Sequence, residues 1–462
     1  MARSITEAVR RIKADVAKYL DPDSIREACR AVGHTWRERI LDPVTTVHVF
    51  LIQILNGNTA CAHALRLAGV KCSLSAYCQG RGTLPLALCQ RLLLQVSEQL
   101  RADCLDEGRW HGHRTFHIDG SGCSMPDTEE LQKQFGQPGG QAPGCGFPVA
   151  HLLSLFHAGT GMLMEIVASA LRTHDMSQVT RVHPQMSEGD VLVGDRAFAS
   201  FVHLVLLSLQ KLHGVFRVHQ RQIVDFRPHR PHVDRKSRKK KGRTCKSKKS
   251  AKKRKQPTSR WIKRLGPRDQ LVEYFKPRQR PDWMSAEDYA QLPDSIEVRE
   301  LRYRLPKRGY RTREVTLVTT LLDPVLYPAE DLAELYHQRW QIETNFKHLK
   351  QTLHMDVLRC QTVRGVLKEL TMYALVYNLV RLVMLAAAKR QGVAVERISF
   401  VDAARWLATA KPGDDLSDLI VNPARPGRSE PRVRKRRPKQ YPYMKVPRGE
   451  WRKALKHKGS RT

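Results

Sequence analysis

Two segments rich in lysine and arginine divide this 462-residue chain into parts that can fold around a core and parts that cannot. Residues 235–255 contain 14 Lys or Arg and no acid, and residues 425–462 contain 15 bases and two acids. Segments so polar and repetitive cannot bury a core of their own. They carry most of the net charge of +35, so the other 403 residues are ordinary globular sequence.

The charge also indicates the kind of partner. A strongly basic chain is expected to bind a polyanion, above all nucleic acid. The ten cysteines form no CxxC pair, so the sequence does not predict a structural zinc site. The first 20 residues are typical of a charged amphipathic helix rather than a signal peptide, and no apolar run reaches 18 residues. We therefore expect a cytoplasmic protein with no membrane partner.

Residues 1–108 are expected to be helical. Apolar residues recur three and four positions apart after Thr45-Thr46, again after the Gly57-Asn58-Thr59 break, and again after Leu84-Pro85. Short helices in a basic protein are compatible with a helix-turn-helix-like DNA reader and equally with a plain helical bundle.

The pattern changes to strands between residues 109 and 219. Alternating runs predict strands at 115–119, 149–157, 162–170, 190–195 and 214–219, with a helix at 174–186 and another between the last two strands. Three consecutive strands followed by alternating helix and strand predict an α/β fold with a mixed sheet.

This order is interrupted after residue 219. Residues 220–327 combine the lysine-rich segment with three alternating runs, which predicts a β-rich insertion. Residues 328–354 form a helical stretch, and residues 355–462 form a helical C-terminal region with a basic tail.

Two aspartates follow predicted strands. Asp119 ends the run TFHID and Asp195 ends the run VLVGD. Carboxylates at the carboxyl ends of neighbouring strands converge and repel each other, so the pair predicts a bound Mg²⁺. Each aspartate taken alone is better explained as a helix cap or turn former.

The helix after Pro328 carries a polar stripe. At 100° per residue, the four side chains of the stripe fall within about 60° of one another. They are Tyr336, Arg339, Glu343 and Lys350. Beside an apolar face, a carboxylate with two cations and a phenol suits a phosphate site. The alternative is an exposed stripe in which Arg339 pairs with Glu343 and has no function.

Together these residues carry a resemblance. The spacing Tyr336-x₂-Arg339-x₃-Glu343-x₆-Lys350 resembles the YREK signature of DDE transposases of the insertion sequence 4 family. The run DGSGCSMPDT at 119–128 resembles the first-aspartate block of that family, and VGDRAF at 193–198 resembles the second. The three blocks stand in family order across residues 116–354.

The resemblance implies an RNase H-like catalytic core, interrupted by the β-rich insertion and preceded by a DNA-binding helical domain at 1–108. It implies that Asp119, Asp195 and Glu343 are catalytic and hold two Mg²⁺ ions, with Mn²⁺ as a substitute. It also implies cut-and-paste transposition of an insertion sequence by strand cleavage and strand transfer.

The same resemblance assigns DNA binding to Tyr336, Arg339 and Lys350. The expected partner is double-stranded DNA, both the terminal inverted repeats of the element and the target, held by a homodimer in a synaptic complex. Two other classes of protein remain open from the residues themselves. One is a non-catalytic nucleic-acid-binding protein from a decayed element, and the other is an RNase H-like nuclease without strand transfer.

Overall fold

The computed structural model describes residues 4–12, 14–104, 107–233, 256–304, 314–410, 414–424 and 444–459 of the chain. The basic segment 235–255 lies outside the described residues. So do residues 425–443 and 460–462 of the basic C-terminal stretch.

Every described element before residue 105 is helical, as the apolar spacing predicts. The helices are α1 (Ser4–Ile12), α2 (Ala14–Ala17), α3 (Pro22–Ala31), α4 (Pro43–Leu55), α5 (Cys61–Ala68), α6 (Leu74–Thr83) and α7 (Leu86–Cys104). Helix α4 begins earlier than the Thr45-Thr46 pair suggests, because the Asp42 carboxylate caps it by accepting the backbone N–H of Thr45 at 2.7 Å.

Nine strands of the described chain join in one sheet. They are β1 (Thr115–Ser124), β2 (Val149–His157), β3 (Leu163–Ala170), β4 (Val191–Gly194), β5 (His213–Arg217), β6 (Arg260–Gly266), β7 (Asp269–Phe275), β8 (Ser295–Arg304) and β9 (Glu314–Thr319). Their spatial order is β3-β2-β1-β4-β5-β9-β8-β7-β6. Strand β4 is parallel to both β1 and β5, and the other neighbours are antiparallel. This mixed pairing, together with the helices, confirms the α/β class.

Most of the later helices pack against strands of this sheet. In chain order, the later helices are α8 (Glu129–Phe135), α9 (Val179–Val182), α10 (Phe201–Leu209), α11 (Ala286–Gln291), α12 (Ala329–Gln338), α13 (Gln341–Lys347), α14 (Val363–Gln391), α15 (Phe400–Thr409) and α16 (Arg448–Gly459). The helix predicted over 174–186 was wrong as one element. In its place stand single 3₁₀ turns at Asp175–Ser177 and His183–Gln185 on either side of the four-residue α9.

The strands of the predicted insertion, β6 to β9, continue the sheet of the preceding strands. Strand β9 pairs with β5, and Val215 lies opposite Thr319. The buried Arg299 of β8 binds the Asp269 carboxylate and donates from Nη1 to the Tyr327 carbonyl at 2.6 Å. A buried ion pair that also satisfies a backbone carbonyl fixes this part of the sheet to the chain just before α12.

The prediction that β1 ends at Asp119 was wrong. The strand continues to Ser124, because residues 120–124 pair antiparallel with residues 149–153 of β2. What ends near Asp119 is the parallel pairing with β4, whose last partners are Ile118 and Gly194. Asp119 is therefore the first β1 residue beyond that pairing.

The single helix predicted after Pro328 was also wrong. Helix α12 ends at Gln338, α13 begins at Gln341, and a π-helical turn covers His348–Thr352. Around the break, several backbone N–H groups donate to the carbonyl three residues earlier, as in a 3₁₀ helix, and not to the carbonyl four residues earlier. These N–H groups belong to Arg339, Trp340, Ile342 and Glu343.

Helix α14 forms the centre of the helical core. By length and composition it could cross a membrane, but its apolar stretch is almost entirely buried inside the protein. It packs against α4, α7 and β3. Its fully buried Glu369 accepts hydrogen bonds from Asn58 Nδ2 and from the backbone N–H groups of Arg359 and Cys360. These bonds offset the cost of burying a carboxylate.

Candidate functional site

Two predicted carboxylates meet at the centre of the sheet. Asp119 and Asp195 each follow directly on the last parallel pair between β1 and β4, Ile118 and Gly194. The two side chains therefore start from equivalent positions on adjacent strands. The Asp195 carboxylate accepts the N–H of Ala197 at 2.7 Å, which fixes the turn after β4.

The Asp119 carboxyl lies in a setting that disfavours its charge. Burial raises the pKa of Asp119 to about 6, and the negative charges of Asp195 and Asp175 add to the increase. The N–H of Gly120, which donates to Oδ1 at 2.8 Å, and the nearby Arg339 oppose it only in part. A half-buried carboxylate beside a second carboxylate is a favourable position for a cation.

This setting predicts that metal-free protein will be stabilised by Asp119→Asn at neutral pH. In an unfolded chain the pKa of an aspartate is near 3.9, so the folded protein binds the Asp119 proton more tightly than the unfolded chain does. The folding stability that comes from this proton is therefore lost as the pH rises from about 4 through 6. The variant should be more stable than wild type at pH 8, by about 2–3 kcal/mol at most, and equal to it near pH 4. Urea unfolding in EDTA at both pH values measures this, and a difference independent of pH would contradict it.

Arg339 reaches the first aspartate. Its Nη1 lies 3.5 Å from Asp119 Oδ2, and its side chain is only 11% exposed. The guanidinium carbon lies 5.8 Å from the ring centre of Tyr336, within cation–π range. Burial raises the pKa of the Tyr336 hydroxyl, which therefore stays protonated as a donor. The tight turns at the α12–α13 break bring this arginine over β1.

Lys350 reaches the same strand two residues further on. Its Nζ lies 3.2 Å from Ser121 Oγ. The lysine is in the π-helical turn His348–Thr352, and π-turns occur often at functional sites. Arg339 and Lys350 thus place two cations along β1 near Asp119, and they do so from separate helical segments rather than from the single predicted helix.

Glu343 is less closely engaged. It lies in the first turn of α13, which packs against β1, but its side chain is exposed. Within the described ranges, no three Asp, Glu, His or Cys side chains are grouped so that they could hold one ion. The structure therefore brings two of the three predicted carboxylates together and leaves the third on the neighbouring helix.

The donor chemistry of the aspartate pair fits a hard divalent cation. Mg²⁺ prefers carboxylate oxygens and is commonly held by one or two protein carboxylates. Burial raises the pKa of Asp119, and Arg339, 3.5 Å from its Oδ2, opposes this increase only in part. The two aspartates are thus suited to such an ion.

Sequence reasoning missed the residues that β2 contributes. Ser154 lies opposite Asp119, and its buried hydroxyl has no hydrogen-bond partner among the described residues. On the other face of β1, the His151 Nε2 and Asp175 Oδ1 atoms are 2.6 Å apart beside Gly120. A Cβ on Gly120 would lie 2.7 Å from Asp175 Oδ1, so a larger residue there would displace the Asp175 carboxylate from His151. Only strand pairing could have revealed these neighbours.

His117, two residues before Asp119, is fully buried. Burial lowers its pKa to about 3, so the imidazole is neutral, and neither ring nitrogen has a partner among the residues described. A neutral histidine cannot offset the charge of Asp119.

Comparisons with known proteins point in one direction. A family model described as "Transposase DDE domain" matches residues 110–379. Transposase InsG for insertion sequence element IS4 of Escherichia coli (strain K12) is 24% identical over 388 residues, which cover 80% of this chain and 78% of that protein. The transposase for insertion sequence element IS421 of Escherichia coli is 49% identical over 45 residues, 10% of this chain and 12% of its own length.

The chain also resembles a solved structure. It is the cryo-EM structure of a piggyBac transposase synaptic complex with hairpin DNA, with a TM-score of 0.40 and 12% sequence identity. The alignment covers 88% of this chain and 77% of that one.

Proposed function

Because this chain belongs to the Transposase DDE domain family and is a DDE transposase of the IS4 family, we propose that Asp119, Asp195 and Glu343 are its catalytic residues. The chain functions in DNA transposition, as an enzyme that cleaves DNA and transfers strands. In the proposed reaction it cuts an insertion sequence from one site and pastes it into another.

One observation carries the assignment of residues. The cation of Arg339 lies 3.5 Å from Asp119, although the two residues are 220 positions apart in the chain. A guanidinium at this distance can hold a phosphate oxygen beside the aspartate pair. Lys350, next to Ser121, offers a second positive charge along the same strand. Tyr336, stacked near Arg339, completes the proposed DNA-binding set.

Membership of the family implies dependence on a divalent metal. We assign two Mg²⁺ ions to Asp119, Asp195 and Glu343, with Mn²⁺ as a substitute, on the strength of the carboxylate donors described above. When bound, such ions activate a water or 3′-hydroxyl nucleophile and stabilise the leaving oxygen. The protein itself orients the phosphate through Arg339 and Lys350 and holds the aspartates on rigid strands.

The strand order also supports the finer fold assignment. Strands β3-β2-β1-β4-β5, with antiparallel β3, β2 and β1 and parallel β1, β4 and β5, support an RNase H-like core formed by residues 109–219 and 328–354. Residues 220–327 are then the insertion, residues 1–108 the DNA-binding domain, and residues 355–462 the C-terminal region.

The proposed substrate is double-stranded DNA, first the terminal inverted repeats of the element and then the target. We propose that two copies of the chain hold two ends in a synaptic complex, in the cytoplasm. The net charge of +35 supports a DNA partner, since lysine and arginine supply most of the affinity for phosphates.

The test uses a duplex that carries the inverted repeats flanking the gene. Purified chain with Mg²⁺ should nick the repeat end and join the free 3′-hydroxyl to a second duplex. Nicking without joining would indicate an RNase H-like nuclease. Binding without nicking in either Mg²⁺ or Mn²⁺ would indicate a non-catalytic DNA-binding protein.

Arg339 should need its planar guanidinium. We expect Arg339→Ala to reduce nicking about 10–100-fold and Arg339→Lys to restore it only in part, because lysine lacks the bidentate fork. Lys350→Ala should weaken formation of the paired-end complex. Lys347→Ala is the matched control, since Lys347 is an exposed lysine at the end of α13, between Arg339 and Lys350 in the chain. Full activity of Arg339→Lys would mean that only the positive charge matters there.

A further inference from the structure

A second basic site lies between the N-terminal helices and the start of α14. A cavity of about 450 Å³ is lined by four cationic side chains, Arg81, Arg359, Arg364 and Lys368, and by the thiols of Cys61, Cys78 and Cys360. We propose that this cavity, the Arg81 cavity, binds a phosphodiester group of the DNA that flanks the cleaved bond. The inference rests on the proposed function, because it takes transposon-end DNA as the ligand.

Arg81 is the centre of the site. Its guanidinium donates to Gln53 Oε1 at 2.9 Å and to Cys360 Sγ at 3.0 Å, and its carbon lies 4.0 Å from the ring centre of Phe50. All of these partners are neutral, since burial raises the pKa of the Cys360 thiol to about 12. A largely buried guanidinium with these neutral partners favours binding of an anion.

The nearest carboxylate does not neutralise the cavity. Glu369 is fully buried, and its oxygens accept from Asn58 and from the backbone N–H groups of Arg359 and Cys360. Within the described part of the chain, neither Arg359 nor Arg364 forms an ion pair, and both are exposed. The Lys368 Nζ atom donates to the carbonyl oxygens of Arg81, Gly82 and Leu84. One buried carboxylate therefore faces four cations.

The position of the cavity relative to Asp119 suits a DNA duplex. The end of β1 is joined to the segment before Arg359, because Ser124 N–H donates to the Asp356 carbonyl and Leu358 N–H donates to the Ser124 carbonyl. Five residues of strand from Asp119 to Ser124 span roughly 17 Å at about 3.3 Å each. That length corresponds to roughly five base pairs along a duplex, at about 3.4 Å each. A duplex cut at Asp119 would thus present a phosphate near the Arg81 cavity.

The test asks whether the effect of removing one phosphate charge on DNA affinity depends on Arg359 or Arg364. End duplexes are made in which one phosphate at a time, between two and eight nucleotides from the cleaved bond, is replaced by an uncharged methylphosphonate. Binding to wild type, Arg359→Ala, Arg364→Ala and the control Arg181→Ala is measured in EDTA at several salt concentrations. Arg181 is an exposed arginine on α9 and is not part of either site.

We expect one methylphosphonate position to lower wild-type affinity about five- to tenfold. The same position should have little further effect on Arg359→Ala or Arg364→Ala, and each variant should lower the slope of log affinity against log salt by about 1. Arg181→Ala should respond like wild type. Thermal melting of each variant checks that it is folded.

The outcomes separate this inference from the proposed function. If wild type cleaves the end but the arginine variants remain as sensitive as wild type to every methylphosphonate, the Arg81 cavity does not hold a phosphate. A second outcome would be that the variants bind random and end duplexes equally weakly and that no single methylphosphonate position loses its effect. The arginines would then act only as diffuse charge, and the proposal would be overturned. If wild type neither binds nor cleaves end DNA, the proposed function fails first.

Discussion

Replacement of Asp119, Asp195 or Glu343 by alanine is expected to lower DNA nicking by about a thousandfold or more and to leave binding of the repeat end nearly unchanged. The reason is that carboxylates proposed to hold the metal should contribute little to phosphate affinity, so their loss should remove transition-state stabilisation alone. Gel-shift titration and a nicking time course on the same duplex give both quantities. The result matters most for Glu343, whose side chain is exposed on α13.

The matched control is Asp127→Ala. Asp127 lies in the same sequence block as Asp119, but it is exposed and bonded to Gln132 Nε2 at 2.8 Å. It should retain wild-type nicking. A variant of any of the three proposed catalytic residues that keeps more than a few per cent of wild-type nicking removes that residue from the catalytic set. Binding lost in parallel with nicking would indicate that the substituted carboxylate supports the fold instead.

The second large effect concerns the basic segments 235–255 and 425–462. Deleting either one should flatten the dependence of DNA affinity on salt, because log affinity falls with log salt at a slope of about −0.9 for each neutralised phosphate. Loss of even five contacts would lower affinity by several powers of ten at low salt. Preference for the repeat end over random duplex should persist, since neither segment contains a proposed catalytic residue.

The control for the first deletion is replacement of 235–255 by a Gly/Ser linker of equal length, which keeps the connection between Val233 and Pro257. Those two residues are joined by a backbone hydrogen bond of 2.9 Å, so the ends of the segment are held together. Both proteins should show the same slope. An unchanged slope after deletion would mean that the segments do not contact DNA, and a lost end preference would mean that they read sequence.

The meeting of Asp119 and Asp195 was predictable from sequence. Each ends an apolar run that predicts a buried strand, and adjacent parallel strands bring equivalent positions together. The continuation of β1 beyond Asp119 was not predictable. Residues 120–124 have no apolar alternation, and they form a strand because they pair with residues 149–153, which are distant in the sequence.

The break in the helix before Glu343 was hidden for a different reason. The tight turns around Arg339 rotate the chain by more than 100° per residue, and the π-helical turn at 348–352 rotates it by less. The two deviations offset each other, so Ile342 and Leu349 are still fully buried. A periodicity search detects only the net rotation, which is that of an ordinary helix.

The pairing of β9 with β5 has a consequence for how such a chain can be shortened. The sheet ends at β3 and β6, so β5 is an interior strand only because β9 pairs with it. The outer strand β6 exposes Arg260, Lys263 and Arg264, and cations on an edge discourage pairing with another molecule. Excision of residues 220–319 would turn β5 into an unprotected template for aggregation. Strands β6 to β9 would thus protect the edge of the sheet that carries Asp119 and Asp195.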